Sequence, residues 1–225
     1  MAGLRRARAP QPTHRLIPSR FPPISAFEAV ASAADLAQVM ALEGWTNDRI
    51  VTQRLQRLPQ RDWVFGRPNA SVVMAAFLHA PVGGLRFSSG ALGAWYGAAA
   101  VTTSIAEVGH HLRRETYNAG MDEMRSQYRA YLADLEGDYQ DIRGRQGDFP
   151  ALYAPADYSA SQAFGEEVRA AGDHGILYDS VRHSGGQNVV CYRTTSILNV
   201  RQSAHYEITV RLDGKILVRT LQANA

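Results

Sequence analysis

The sequence predicts a single α+β domain, helical early and strand-rich in its second half. Three observations carry this. Apolar residues recur at three- and four-residue steps between 25 and 58 and again between 102 and 115, the period of amphipathic helices. Short apolar runs bounded by turn formers dominate the later part of the chain. The 225 residues, 45% hydrophobic and 20% charged, suit one ordinary globular core.

The elements follow in order. Met1 to Thr13 carries Arg5, Arg6 and Arg8 with two prolines and is expected to be a mobile basic tail, with the domain running from 14 to 225. In HRLIPSRFPPI (14–24), Pro18, Pro22 and Pro23 forbid a helix and favour extended chain. Phe27, Val30, Ala34, Ala37 and Met40 form one helical face that Gly44 ends. Asn47 or Asp48 then caps a second helix bearing Ile50, Leu55 and Leu58, stopped by Pro59. Ser71 to Phe77 reads as a buried strand, 79–90 as a glycine-rich loop around Arg86, and LGAWYGAA as another buried strand. Ile105, Val108 and Leu112 place 102–115 in a helix. YRAYLADL and DYQDI suggest a hairpin across Glu136-Gly137. Asp157 caps a helix to Ala171 with Phe164 and Val168 inward and Gly172 at its end. Strands are expected at 175–181 and 188–193, followed by a hairpin turning at Asp213-Gly214.

Composition excludes several functions. A net charge of +3, from 24 basic and 21 acidic side chains, is too small to imply nucleic acid, and the 10 tyrosines form no stacking motif. The single cysteine, Cys191, allows neither an internal disulfide nor a C-x-x-C knuckle, so a reducing cytoplasm is the expected compartment. No run approaches the roughly 20 apolar residues of a membrane helix, and the N-terminus lacks the apolar segment of a secretory signal.

Among chemical candidates, His110 and His111 are adjacent and diverge on a helix, and His183 and Cys191 add no ligand spacing, so no metal site is expected. Ser180 lacks the nucleophile elbow of a hydrolase, and His183 follows it too closely to serve as its base. No glycine-rich phosphate loop occurs. What remains is Arg86 in the glycine loop, Tyr96 in an apolar strand, Glu107 on a helix and Ser180 at a strand end. Each has a structural alternative: a solvated loop charge, a core ring, a strand terminus and, for Ser104-x-x-Glu107, a capping box.

Together, HRLIPSRFPPI, GGLRF, WYGA, SIAEV and GDHGILYDSVRHSGG resemble the RES-domain family, named for its arginine, glutamate and serine. The resemblance runs from about His14 to Arg193. It implies a fold like that of ADP-ribosyltransferase toxins and the activity of a toxin–antitoxin toxin that consumes NAD⁺ as substrate, with no separate cofactor. The family arginine matches Arg86, although Leu85 separates it from Gly84 and Phe87 replaces a tryptophan; the tyrosine matches Tyr96, the glutamate Glu107 and the serine Ser180. An early Arg-Tyr pair matches Arg20, with Phe21 in place of the tyrosine, and the segment 25–58 reads as a helical insertion.

In the chemistry so implied, Glu107 offsets the cationic ribose formed as nicotinamide leaves. Arg86 and Arg20 hold the pyrophosphate. Tyr96 stacks a flat ring, and Ser180 bonds a carboxamide or ribose group. Water as acceptor makes a glycohydrolase, phosphate a phosphorylase, and a protein side chain an ADP-ribosyltransferase. The resemblance also implies an Xre-like antitoxin that blocks the site, and a homodimer within that complex. DNA binding then falls to the partner. A nucleic-acid-binding module and a catalytically inactive interaction protein are the competing classes.

Overall fold

Nine strands form one sheet in the computed structural model of the chain, which describes residues 4–21, 27–32, 34–36, 38 and 49–221. They are β1 (Arg5–Arg8), β2 (Thr13–Pro18), β3 (Trp95–Ala98), β4 (Glu123–Leu135), β5 (Asp138–Asp141), β6 (Gly175–Asp179), β7 (Gln187–Cys191), β8 (Ile197–Arg211) and β9 (Leu217–Leu221). Their spatial order is β1-β5-β6-β7-β3-β2-β4-β8-β9, antiparallel except for the β5–β6 pair. Among the described residues four α-helices accompany it: α1 (Arg49–Arg57), which packs on α2 (Ala70–Leu78), then α3 (Val101–Asn118) and α4 (Ser159–Ala170). The architecture is the α+β arrangement expected.

Strand alternation divides the core between the two faces. Trp95, Leu177, Val189 and Cys191 pack with Met74, Phe77 and Leu78 of α2. Tyr96, Ile176, Tyr178 and Val190 pack with Val168 of α4. Farther along the sheet, Leu16, Tyr128 and Ile208 pack with Leu112 of α3. Gly165 lets α4 approach closely, since a Cβ there would lie 2.0 Å from the Phe87 carbonyl oxygen.

Several expectations are corrected. Ser71 to Phe77 is not a strand but lies in α2. Ala70, Val73, Met74, Phe77 and Leu78 are all buried, and an apolar run without polar gaps hides whether its period is 2 or 3.6. β4 and β5 do not pair across Glu136-Gly137; β4 pairs with β2 and β8, and β5 with β1 and β6. Gly137, at φ 98° and against the His174 ring, turns the chain into a different part of the sheet. The basic tail holds β1, whose ladder to β5 is supported by Arg6 Nη2 at 2.6 Å from Asp173. Backbone pairing, invisible to composition, orders a segment with little apolar surface. Ser159 N donates to Asp157 Oδ1, but Tyr158 occupies the cap position itself. The last hairpin forms, with a loop over 212–216 centred on Gly214 at φ 100°. The second early helix forms as α1, while Ala37, Met40, Gly44, Asn47 and Asp48 lie outside the described residues. Among the described residues no helix is long and apolar enough to cross a membrane.

Candidate active site

β2 and β3 share a single paired position, His14 with Ala98, so the sheet opens where they part. A pocket of about 190 Å³ lies at this opening, beneath α3. Across the sheet, Tyr178 of β6 pairs with Asn188 of β7, Asn188 with Ala98 of β3, and Ala98 with His14. All four stand in one row on one face and line the pocket. α3 begins at Val101, directly after β3, and brings Ser104, Glu107, Val108 and His111 over that row at helical spacing.

Glu107 is gripped on one oxygen. Ser180 Oγ and Asn188 Nδ2 each donate to Oε1 at 2.7 Å, while Oε2 takes no partner among the described residues. The serine's orientation is set by its own loop. Its Oγ accepts from the backbone N–H groups of Arg182 at 3.1 Å and His183 at 3.0 Å, so its only proton goes to the carboxylate. A bond from Ser180 N to the Gly186 carbonyl, 2.8 Å, closes that loop. The capping-box alternative for Glu107 fails because α3 starts three residues before Ser104, whose hydroxyl instead donates to the His14 carbonyl.

Two arginines face the pocket without a carboxylate partner among the described residues. Arg86 is buried; its Nη1 donates to the carbonyls of Leu152 and Ala154 at 3.2 and 2.8 Å, and its guanidinium stacks 4.6 Å from the Tyr158 ring. Arg15 lies 5.0 Å over the Trp95 ring and donates Nη1 to the Tyr96 carbonyl at 3.0 Å, while its Nε is sealed without a partner. Burial lowers this guanidinium to about 10, so it stays charged at neutral pH. Arg20, by contrast, is not among the pocket-lining residues. It is exposed and pairs at 3.2 Å with Glu115, eight residues (about 12 Å) farther along α3 than Glu107.

Tyr96 lines the pocket with its ring, but its hydroxyl is committed to the glycine loop. It accepts from Phe87 N and bonds Ser88 Oγ, both at 3.0 Å, and burial pushes the phenol up to about 12. His111 also lines the pocket, its imidazole lowered first by burial and then by Arg114. The His183 ring turns away to Thr103 Oγ1 at 2.9 Å. Among the described residues no cluster of three or more histidine, cysteine, aspartate or glutamate side chains forms a metal-binding group.

Thus Arg86, Tyr96, Glu107 and Ser180 do converge, and Arg20 does not. Sequence reasoning missed Asn188 and Arg15. Both carried a signal: a polar residue opening the apolar strand NVVC, and an arginine within THRLIP.

One solved structure, described as the M. tuberculosis MbcT–MbcA toxin–antitoxin complex, contains a chain similar to this one. Its TM-score is 0.45 at 12% identity, over 90% of this chain and 86% of that chain. No curated protein matches the sequence. The model of the RES domain family matches residues 54–211, more than half the chain and all of the site except the β2 residues. The chain belongs to the RES domain family.

Proposed function

We propose that this chain is the toxin of a toxin–antitoxin pair and degrades NAD⁺ by cleaving the nicotinamide–ribose bond, passing the ADP-ribosyl group to water or inorganic phosphate. One observation carries the reading. A carboxylate held on Oε1 by Ser180 and Asn188 shares a pocket with two guanidiniums, and among the described residues Oε2 has no partner and no acid neutralises either arginine. Such a site suits a substrate that is anionic at one end and becomes cationic at the reacting carbon.

The chemistry follows from these groups. The electrons of the glycosidic bond leave with nicotinamide, which becomes neutral and needs no acid. Positive charge spreads over the ribose, and the fixed Glu107 carboxylate stabilises it without reorganising. The acceptor oxygen then bonds the anomeric carbon and loses its proton, giving ADP-ribose from water or its 1-phosphate ester from phosphate. Arg86 and Arg15 hold the pyrophosphate through charge-assisted hydrogen bonds from their remaining N–H groups. Arg15 thereby takes the part expected of Arg20, and Ser180 serves through Glu107 instead of touching the substrate itself. An Xre-like antitoxin that covers the pocket mouth would keep the enzyme silent, with DNA binding left to that partner.

The test is incubation of the purified chain with NAD⁺, with and without phosphate, with products identified by mass. Nicotinamide release is expected, and intact NAD⁺ under both conditions would overturn the proposal. Release abolished by co-purified antitoxin would support the pairing.

A further inference from the structure

Tyr178 is nearly sealed, at 6% exposure, with its ring packed edge-on to Phe87 at 4.7 Å. The tyrosines packed around it spend their hydroxyls on the protein. Tyr96 serves the glycine loop, Tyr192 donates to the Phe87 carbonyl at 2.6 Å, and Tyr153 to the Ile142 carbonyl at 2.7 Å. The Tyr178 hydroxyl makes no hydrogen bond to any described residue, and it is not among the partnerless polar atoms shut off from solvent. Tyr178 lines the pocket. Since solvent reaches the hydroxyl, its partner is water or a ligand, and a phenylalanine there forfeits no bond to a described residue.

The register of the sheet sets Tyr178 beside the residues that hold Glu107. Tyr178 stands directly opposite Asn188, the residue that grips Glu107, and cross-strand partners lie about 5 Å apart at Cβ. Burial, then the Glu107 charge, holds the phenol protonated well above its ordinary range, so it can both donate and accept.

We propose that Tyr178 is a substrate-binding residue whose hydroxyl hydrogen-bonds the ribose beside Glu107, engaging one ribose hydroxyl while Glu107 Oε2 engages its neighbour. This rests on the NAD⁺-cleaving function proposed above.

Tyr178→Phe tests it in the full-length chain, read by calorimetry with ADP-ribose, by inhibition with free nicotinamide, and by thermal unfolding. ADP-ribose keeps the ribose hydroxyls and lacks nicotinamide. The expected result is ADP-ribose binding weakened about tenfold, the scale of one hydrogen bond lost to a buried site. Nicotinamide inhibition should be unchanged, and the thermal midpoint unchanged or raised. Wild-type affinity for ADP-ribose in the variant overturns the assignment. Weakened nicotinamide inhibition with ADP-ribose binding intact overturns it also, by moving the contact to the base. A lowered midpoint overturns it by showing that the hydroxyl serves the fold. If the wild-type chain neither binds ADP-ribose nor cleaves NAD⁺, the function itself fails, a result distinct from all of these.

Discussion

Glu107→Gln isolates charge from shape at the centre of the site. Glutamine retains an oxygen where Oε1 accepts from Ser180 and Asn188, so both 2.7 Å contacts can persist. They lose charge assistance, however, and charge-assisted bonds are about twice as strong as neutral ones. With a net neutral bond worth about 1 kcal/mol, the two together cost about 1–2 kcal/mol. For a chain of this size that lowers the thermal midpoint by roughly 2–8 °C. Turnover should fall far more. Removing one preorganised electrostatic group from a transition state typically costs about 10²–10³-fold. NAD⁺ affinity should fall far less than turnover, because the pyrophosphate contacts are untouched. Single-turnover nicotinamide release, calorimetric affinity and thermal unfolding on the same preparation separate the three quantities. Near-normal turnover beside a lowered midpoint would refute the catalytic role and leave Glu107 as the anchor that holds the Ser180 loop to α3.

Two further outcomes are expected. Arg15→Met keeps an unbranched side chain over Trp95 but removes the charge, so NAD⁺ binding should weaken about tenfold or more. Arg20→Ala, which breaks an exposed pair with Glu115 and an exposed contact with the Phe21 ring, should change stability by less than about 1 kcal/mol and leave binding alone; equal losses of affinity in the two variants would contradict this geometry. The His110 imidazole is lowered to about 4, first by burial and then by Arg182, His111, Arg114 and Arg113. Between its ordinary value of about 6.5 and that lower one, the unfolded chain binds a proton that the folded chain refuses, so stability falls as pH falls through this window. His110→Gln should therefore narrow the difference in urea midpoint between pH 7 and pH 5, and an unchanged difference would refute the linkage.

Local signals in the sequence worked where one physical term dominates. α3 alternates polar and apolar residues every three or four positions because one side lies on the sheet and the other in solvent. α2 is buried on nearly every side, which erased that contrast and made a helix look like a strand. Strand pairing was harder still. YRAYLADL–EG–DYQDI has the turn and the runs of a hairpin, yet β4 takes its partners from residues 13–18 and 197–211. Long-range partners compete for the same backbone groups, and nothing local in the sequence reports which of them wins.

The site divides along the same line. Glu107 and Ser180 were legible as a pair by order, but their relation was not, because a hydroxyl is free to face a ligand or a carboxylate. Only the loop geometry decides: two backbone N–H groups occupy Ser180 Oγ and leave its proton for Glu107. Asn188 and Arg15 were missed because each sits in a short strand read mainly for its apolar residues, Leu16 and Ile17 in one and Val189 and Val190 in the other. Such positions carry the sharper signal. A polar side chain that alternation directs inward must find a partner. Asn188 finds Glu107. Arg15 finds one carbonyl and, among the described residues, no acid. A half-buried cation without a counter-charge is a costly feature for a fold to retain, and the pocket it lines accounts for it only if an anion enters.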